Sequence, residues 1–362
     1  LVISDGPGNY DYATVPTGST NSKTFTVNNT GGSTATAMAG SGLAAPFTFA
    51  GGSYPGGGTC VGTLAPAGSC TIIVEYNPIA VSAADNDTIL LDYNDGAIAQ
   101  QATRGLDGIA VAPASLSISE TDPYNYGTLA TGSAVIHSFT VTNGGTFQAS
   151  TMSEVGLAAP YTFTGGSYPG TGGDCAATLN GGATCTLEIQ YSPGVVSAGD
   201  NDTIDISYND GVNPQNATRD VTGVAVTPAN ITITEADPYD YGTIATGANL
   251  PHTFTLNNAG SFQASAIAEI GLAAPFAFTG GAFPGTAGTC GTTLAGAASC
   301  DIEVEFAPAA TGAAADTISI QYNNGATVVT SDRDIQGTGI AAAILVISDG
   351  PGNYDYATVP TG

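Results

Sequence analysis

The chain repeats itself, and this constrains its fold more than any other feature. Residues 1–18 return without a change as residues 345–362, and two looser copies of the segment lie between them. Paired tyrosines mark the register of the four copies: Tyr10/Tyr12, Tyr124/Tyr126, Tyr239/Tyr241 and Tyr354/Tyr356. Neighbouring copies are 114 or 115 residues apart. That spacing fits an independent domain and exceeds the ~20–50 residues of solenoid repeats.

We therefore predict a tandem array of separately folded modules. The predicted bounds are 1–114, 115–229 and 230–343, followed by the first strand of a further module at 344–362. Because the fourth copy restarts with the sequence of the first, we expect the three modules to form one period of a longer repetitive protein.

Composition and periodicity predict an all-β fold. Glycine accounts for 50 of 362 residues, and no stretch shows helical periodicity. Apolar and polar residues alternate most clearly after the second cysteine of each module, where Ile72, Val74 and Tyr76 are predicted to face inward. About seven such strands per module are typical of tandem immunoglobulin-like β-sandwiches. Since the linkers are apolar and lack a Gly/Ser-rich spacer, we expect neighbouring modules to touch and form a semi-rigid rod.

The charge balance limits the kinds of partner that the chain can bind. Thirty acidic residues stand against four basic ones, so the formal net charge is −26. Nucleic acids and anionic membrane surfaces bind clusters of Lys and Arg, and the sequence has no such cluster. The longest apolar run, around 340–347, is too short to cross a bilayer, so no direct membrane insertion is predicted in this fragment. The expected partners are copies of the chain itself, along or beside a fibre, with glycans as a further candidate.

Six cysteines recur in pairs at one position of each module. Nine residues separate the cysteines of every pair, and partner histidines for a zinc site are lacking. Several pairings are possible, but modules that fold by themselves favour pairing within each module. The predicted disulfides are Cys60–Cys70, Cys175–Cys185 and Cys290–Cys300. Because disulfides form in oxidising compartments, we expect a secreted protein that is extracellular or at the cell surface.

A set of short motifs gives the modules a family resemblance. Each has a cysteine pair, then alternating apolar residues, an aromatic residue, one further residue and a proline, at Cys60–Pro78, Cys175–Pro193 and Cys290–Pro308. The second and third modules open with Tyr-Gly-Thr, where the first has Ala13 in place of the glycine. These motifs resemble the bacterial choice-of-anchor D domains, which are related to the ASPM/SPD-2/Hydin immunoglobulin-like domains. The resemblance implies stalk or scaffold domains of large exported bacterial proteins, without catalytic residues.

One basic position recurs near the end of each module. It is held by Arg104, Arg219 and Arg333. We predict structural salt bridges, either with aspartates nearby in sequence or with the acidic opening of the next module. The nearby aspartates are Asp107, Asp220 and Asp334. The alternative is that the arginine only protects an edge strand from aggregation.

A second position carries Lys23 in the first module and a histidine in the other two. Neither His137 nor His252 has a cysteine or a second histidine at the spacing of a metal site. We therefore expect both histidines to be exposed strand residues.

Acidic turns and sequons offer candidate ligand and modification sites. The candidate Ca²⁺ ligands are Asp85, Asp87, Asp200 and Asp202. A second candidate cation site is the acidic, tyrosine-rich opening segment of each module, and the alternative in both places is an ordinary polar turn. Candidate N-glycosylation sites are Asn28, Asn86, Asn201, Asn216 and Asn230. No cofactor is predicted apart from the candidate Ca²⁺.

These observations favour a structural protein over an enzyme. The sequence has no Ser/His/Asp set and no acid pair that stands out from the repeats, so no catalysis is predicted. We expect the shaft of an extracellular bacterial filament or of a giant repetitive surface protein. The alternatives are an adhesin that binds glycan, Ca²⁺ or a partner surface through its loops, an accessory region of an enzyme, and short subunits joined by strand exchange.

Overall fold

The computed structural model describes residues 1–6, 8–347, 350, 352–353 and 357–358. Most of the predicted further strand at 344–362, with Tyr354 and Tyr356, lies outside the described residues. Contacts divide the chain into two compact units. The first consists of 1–126, 135–191 and 201–222, and the second of 127–134, 192–200 and 223–362. The sequence repeats 1–114, 115–229 and 230–343 are called repeats 1, 2 and 3 below, and their bounds as domains stay a prediction.

Repeat 1 forms two β-sheets. Its strands within the described residues are β1 Val2–Ser4, β2 Tyr10–Pro16, β3 Asn21–Asn28, β4 Ala35–Ser41, β5 Phe47–Phe49, β6 Thr63–Leu64, β7 Ser69–Tyr76, β8 Ser82–Asn94 and β9 Ala99–Val111. One sheet has the order β1-β3-β7-β5 and the other β2-β9-β8-β4-β6. One hydrophobic core joins residues of both sheets, as in a sandwich.

Repeats 2 and 3 have the same plan without the short β6 strand. The strands of repeat 2 are β10 Leu116–Ile118, β11 Tyr124–Ala130, β12 Val135–Asn143, β13 Ser150–Glu154, β14 Tyr161–Phe163, β15 Thr184–Tyr191, β16 Ser197–Asn209 and β17 Pro214–Val226. Those of repeat 3 are β18 Ile231–Ile233, β19 Tyr239–Ala245, β20 Leu250–Asn258, β21 Ser265–Glu269, β22 Phe276–Phe278, β23 Ser299–Phe306, β24 Gly312–Asn323 and β25 Val328–Ile340. The sheet orders are β10-β12-β15-β14 and β11-β17-β16-β13, then β18-β20-β23-β22 and β19-β25-β24-β21.

The opening segment of each repeat crosses from one sheet to the other. In repeat 1, β1 pairs antiparallel with β3, whereas β2 pairs in parallel with β9 on the second sheet. The described residues between the two strands, 5–6 and 8–9, include the acidic Asp5. We call the segment between these two strands in each repeat the opening loop. Because the opening segment supplies a strand to each sheet and some edge strands are very short, the described strands number eight or nine per repeat instead of about seven.

The predicted alternation on β7 is confirmed and builds the centre of the core. Ile72, Val74 and Tyr76 are fully buried on the inner face. The rings of Tyr12, Phe47 and Tyr76 pack together with centroids 4.8–5.7 Å apart, and the Tyr12 hydroxyl donates to the carbonyl oxygen of Val74 at 2.8 Å. Burial of each large side chain stabilises the fold by about 1.5–3 kcal/mol.

Candidate functional site: opening loops and repeat junctions

The three predicted disulfides are confirmed, and each closes the glycine-rich loop of its repeat. Their Cα–Cα distances are 4.8–4.9 Å. In repeat 1 the loop lies flat against β7, since a Cβ atom on Gly58 would come within 2.1 Å of the carbonyl oxygen of Thr71. Backbone hydrogen bonds also hold this loop, since the N–H of Cys60 donates to the carbonyl oxygen of Thr71 at 3.1 Å and the N–H of Ile73 to that of Pro55 at 2.9 Å. The disulfide adds a covalent closure. Such a closure contributes about 2–3 kcal/mol on the chain-entropy model.

The recurring arginine ties the last strand of each repeat to the opening loop of the same repeat. Arg104 on β9 is buried and donates to the carbonyl oxygens of Asp5 at 3.0 Å and Gly6 at 2.5 Å. Arg219 on β17 donates to the carbonyl oxygen of Ile118 at 2.6 Å, and its Nη1 lies 3.7 Å from the carboxylate of Asp122. In repeat 3, Arg333 on β25 donates to a backbone carbonyl and pairs with a carboxylate in the same way.

The ionic partners of these arginines differ from the nearby aspartates considered in the sequence. Arg333 donates to the carbonyl oxygen of Ile233 and lies 3.4 Å from Asp237, in the opening loop of its own repeat. The nearby aspartates instead accept other side chains: Asp107 from Asn9, Asp220 from Thr203 and Asp334 from Thr317. These aspartates are one or three positions from the arginine, so they point to the opposite face of the strand.

Arg104 departs from the predicted salt bridge. Among the described residues no carboxylate lies within 4 Å of its guanidinium, and its described hydrogen bonds go to backbone carbonyls. Asp5, whose carbonyl oxygen accepts from Arg104, pairs its carboxylate with Lys23 instead, at 2.7 Å from the Nζ. The ammonium group also lies 4.7 Å from the ring centroid of Tyr10.

The two histidines are half-buried beneath the opening loops, which corrects the expectation that they are exposed. His137 stacks on Tyr124 with ring centroids 4.1 Å apart, and its Nδ1 is 2.9 Å from the tyrosine hydroxyl. His252 and Tyr239 repeat this arrangement at 4.0 Å and 2.9 Å. Alternation alone assigns the histidine position to solvent, but the first tyrosine of the Tyr-x-Tyr pair covers it.

The candidate Ca²⁺ ligands accept hydrogen bonds from the protein. Asp85 accepts the hydroxyl of Tyr76 at 2.5 Å, and Asp87 accepts the backbone N–H of Ala44 at 2.7 Å. Asp202 holds the equivalent loop of repeat 2 in the same way. Over the described part of the chain, no group of three or more His, Cys, Asp and Glu is placed to hold a metal ion. Carboxylates that already accept protein N–H and O–H groups are better suited to fixing a loop than to binding a cation. Ca²⁺ binding by Asp85, Asp87, Asp200 and Asp202 stays a prediction.

Most of the candidate glycosylation sites are accessible. Asn28 is half-buried, and its Nδ2 donates to the hydroxyl of Ser4 at 3.2 Å. The exposed sequon asparagines are Asn86, Asn201, Asn216 and Asn230. Accessibility permits modification without demonstrating it, so glycosylation stays a prediction.

In the first unit, the linker between repeats 1 and 2 is hydrogen-bonded into repeat 2. Its residues 112–115 connect β9 with β10. The carbonyl oxygen of Ala112 accepts the N–H of Phe147 at 2.9 Å, and the N–H of Ala114 donates to the carbonyl oxygen of Asp210 at 3.0 Å. The N–H of Leu116 donates to the hydroxyl of Tyr208 at 3.2 Å. The linker is therefore attached to repeat 2 by hydrogen bonds and is not a free spacer.

A fully buried asparagine completes this anchorage. Asn143 accepts the N–H groups of Ser115 and Gly145 at 3.0 Å each, and its Nδ2 donates to the carbonyl oxygens of Phe147 and Leu179 at 2.9 and 3.1 Å. All four hydrogen-bonding positions of the side-chain amide are used. In the sequence alone, the Asn-x-Gly pattern at this position is explained by a turn, so it does not indicate a buried anchor.

The Asn-Asp-Gly turn of repeat 2 lies against Pro16 of repeat 1, at the end of β2. A Cβ atom on Gly211 would lie 2.5 Å from the ring of Phe147 and 2.9 Å from Pro16, so the glycine is held between an aromatic ring of its own repeat and a proline of repeat 1. Only glycine fits so narrow a gap at a positive φ of 98°. At the equivalent turn of repeat 1, a Cβ atom on Gly96 would lie 3.4 Å from Ser33.

The second unit contains the same arrangement at the junction before repeat 3. The N–H of Ala229 donates to the carbonyl oxygen of Asn324 at 3.0 Å, and Asn258 accepts the N–H of Asn230 at 2.9 Å. A Cβ atom on Gly325 would lie 2.5 Å from the ring of Phe262 and 2.8 Å from Ala130. The sequence analysis did not identify Phe147 and Phe262 as junction residues. The available signal was their recurrence four positions after the buried asparagines Asn143 and Asn258.

A comparison with known families finds a match in the first repeat. Residues 6–105 match the family model described as HYDIN/CFA65/VesB-like, Ig-like domain. This match confirms the family resemblance seen in the motifs within the first repeat, and an Ig-like domain agrees with the two sheets of that repeat. No curated protein matches the chain. The described residues include no helix that is both long and apolar enough to cross a membrane.

Several solved structures are similar at low identity. A three-domain I-band fragment of titin is 10% identical, with 93% of this chain and 98% of that chain covered and a TM-score of 0.31. The VesB protease of Vibrio cholerae is 17% identical, with 31% and 32% covered and a TM-score of 0.24. A PapD-like domain of human CEP192 is 17% identical, with 33% and 89% covered and a TM-score of 0.24. Scores this low carry no argument about function.

Proposed function

We propose that this chain is a section of the shaft of an extracellular bacterial filament or giant repetitive surface protein, and that its role is mechanical and not catalytic. The observation that carries this proposal is the construction of the junctions. Each linker is hydrogen-bonded into the following repeat, and the turn of that repeat rests on the end of the preceding one. Tension along the chain therefore passes from one sandwich into the next without a free segment.

The remaining features suit a load-bearing protein outside the cell. Disulfides persist in oxidising compartments, and here each one closes the glycine-rich loop of its repeat. The arginine contacts hold each opening loop, which is the point where the chain crosses between sheets. The partners that fit this role are copies of the same chain, along or beside a fibre.

Electron microscopy of the oxidised chain tests the proposal. Three sandwiches of about 35–40 Å placed end to end would give rods of about 110 Å with a narrow spread of angles at each junction. Particles whose repeats adopt all angles relative to one another would contradict a shaft. Electrophoresis of native filaments on a reducing, denaturing gel would distinguish a continuous polypeptide from short subunits joined by strand exchange. Polypeptides far longer than 362 residues indicate a continuous shaft, and chains of about one period indicate strand exchange.

A second candidate, adhesion through loops, is favoured by one observation. The loop after β7 exposes 90% of Ile79 and 65% of Val81, and the equivalent loop of repeat 2 exposes 75% of Val195 and 59% of Val196. Large apolar side chains exposed at one loop in two repeats are typical of contact surfaces. Replacing these four residues by serine would abolish binding or lateral bundling if the loops are adhesive, and would leave the isolated rods unchanged if they are not.

A further inference from the structure

The position held by Lys23, His137 and His252 forms a graded series of contacts with the opening loop. Lys23 makes a close ion pair in repeat 1 at 2.7 Å. In repeat 2 the Nε2 of His137 lies 3.6 Å from the carboxylate of Glu120. In repeat 3 the equivalent carboxylate, on Glu235, accepts the N–H of Thr255 at 3.0 Å instead. Within the described residues His252 has no carboxylate at ion-pair distance.

The surroundings of His252 leave no place for a second ring proton. Its ring stacks on Tyr239, and its Nδ1 faces that tyrosine's hydroxyl. Its Nε2 is buried and, among the described residues, has no hydrogen-bond partner. Tyr241 and Phe254 cover the ring edges, with centroids 6.4 and 4.8 Å away. An imidazolium here would be a partly buried charge without a carboxylate at ion-pair distance among the described residues, and the nearby carboxylate of Glu235 would offset this only in part.

The charged groups on the neighbouring elements do not supply that partner. Across the sheet, Val304 on β23 lies opposite His252, and the carboxylate of Glu303 beside it accepts the hydroxyl of Thr279. On β25 the cation Arg333 donates to the carbonyl oxygen of Ile233 at the end of β18 and lies 3.4 Å from Asp237 in the opening loop. The aspartate that could attract an imidazolium is therefore already paired.

We propose that His252 makes the opening loop of repeat 3, residues 234–238, sensitive to acid, whereas Lys23 holds the loop of repeat 1 independently of pH. Proton uptake favours conformations in which the loop lifts and the imidazolium reaches water. The loop carries Asp237, which also accepts the N–H of Asp334 at 3.2 Å, so its release loosens the contact with β25.

The direction of the pH dependence follows from two opposing effects. Burial lowers the pKa of His252, and the nearby carboxylate of Glu235 offsets this only in part. The folded-state value therefore lies below the ordinary value of 6.5, so the stabilising contribution is complete above pH 6.5 and is lost as the pH falls through the folded-state pKa. The hydrogen bond to Asp5 raises the pKa of Lys23, which stays charged throughout this range.

Proton NMR of the intact chain tests the titration directly, because the chain has two histidines and the His137→Lys variant assigns their signals. The midpoint of the His252 ring signal is expected below that of the same histidine in the urea-unfolded chain. A midpoint at or above the unfolded value would overturn the proposal, since the fold would then favour the proton.

Hydrogen exchange at pH 7.5 and pH 5.0, corrected for intrinsic rates, tests the consequence. The amides of 234–237 are expected to lose protection at the lower pH, while the opening loop of repeat 1 does not. The matched control is His252→Lys, which reproduces Lys23 and should abolish the loss. If the lysine variant loosens equally, the loop carboxylates and not His252 are responsible, and the proposal is wrong.

Discussion

At the scale of single residues, the differences between repeats act as natural substitutions. Tyr76 and Asp85 of repeat 1 form a 2.5 Å hydrogen bond, and the same positions of repeat 3 hold Phe306 and Ala314. Both partners are thus lost together. This is the expected outcome when a polar group left alone costs about 1–3 kcal/mol, whereas an apolar pair of similar shape is nearly neutral.

This pairing predicts strong coupling between the two positions. Tyr76→Phe is expected to destabilise repeat 1 by about 1–3 kcal/mol, because a bond to a carboxylate is lost. The double variant Tyr76→Phe/Asp85→Ala should cost less than the sum of the single changes, by about 1–2 kcal/mol. Hydrogen exchange resolved by repeat measures this, with repeat 3 as the internal control. Additive effects would show that the two side chains do not act together.

A backbone position distinguishes repeat 1 in a second way. Ala13 has a φ of 59°, and the equivalent residues Gly127 and Gly242 have φ values of 81° and 74°. The conformation costs an alanine about 1–2 kcal/mol, which is more than the entropy that glycine loses on folding. Ala13→Gly is therefore expected to stabilise repeat 1 by about 0.5–1 kcal/mol, and Gly127→Ala to destabilise repeat 2. Thermal unfolding checks both, and changes of the same sign would refute the argument.

At the scale of elements, the buried asparagine joins linker, strand end and turn. Asn143→Ala would leave several buried backbone groups without partners and should cost at least about 3 kcal/mol. Exchange protection at the Ser115 amide should fall with it. Asn29→Ala is the matched control, since Asn29 bonds Ser33, Leu64 and Gly31 but no linker amide. If both variants leave the linker equally protected, the asparagine does not anchor it.

The strands themselves follow from the sequence better than the contacts between them. The inward residues of β7 and the three disulfides could be predicted, because alternation and cysteine spacing are local patterns. The place of the histidines could not, because it depends on a tyrosine thirteen positions earlier that folds over them. The partner of Arg219 was likewise invisible, since Asp122 is distant in sequence and close only after the opening segment changes sheet.

At the scale of the whole molecule, the proposed function depends on the stiffness of the junctions. An Asn-Asp-Gly turn forms a hairpin equally well with or without a neighbour, so the turn motif alone says nothing about stiffness. In repeat 2 the turn glycine, Gly211, has a further role, because the absence of a side chain lets the turn fit between Phe147 and Pro16. The same residue type thus serves both the hairpin and the inter-repeat contact.

Two glycine variants separate these roles. Gly96→Ala and Gly211→Ala place the same methyl group at nearly the same φ, 99° and 98°, and each should strain its turn by about 1–2 kcal/mol. The Gly96 methyl would meet only Ser33 at 3.4 Å, whereas the Gly211 methyl would be forced into Phe147 and Pro16. Gly211→Ala alone should therefore widen the distribution of angles between repeats 1 and 2, as measured by electron microscopy. Equal distributions for the two variants would mean that this contact does not stiffen the chain, and the shaft proposal would lose the observation on which it depends.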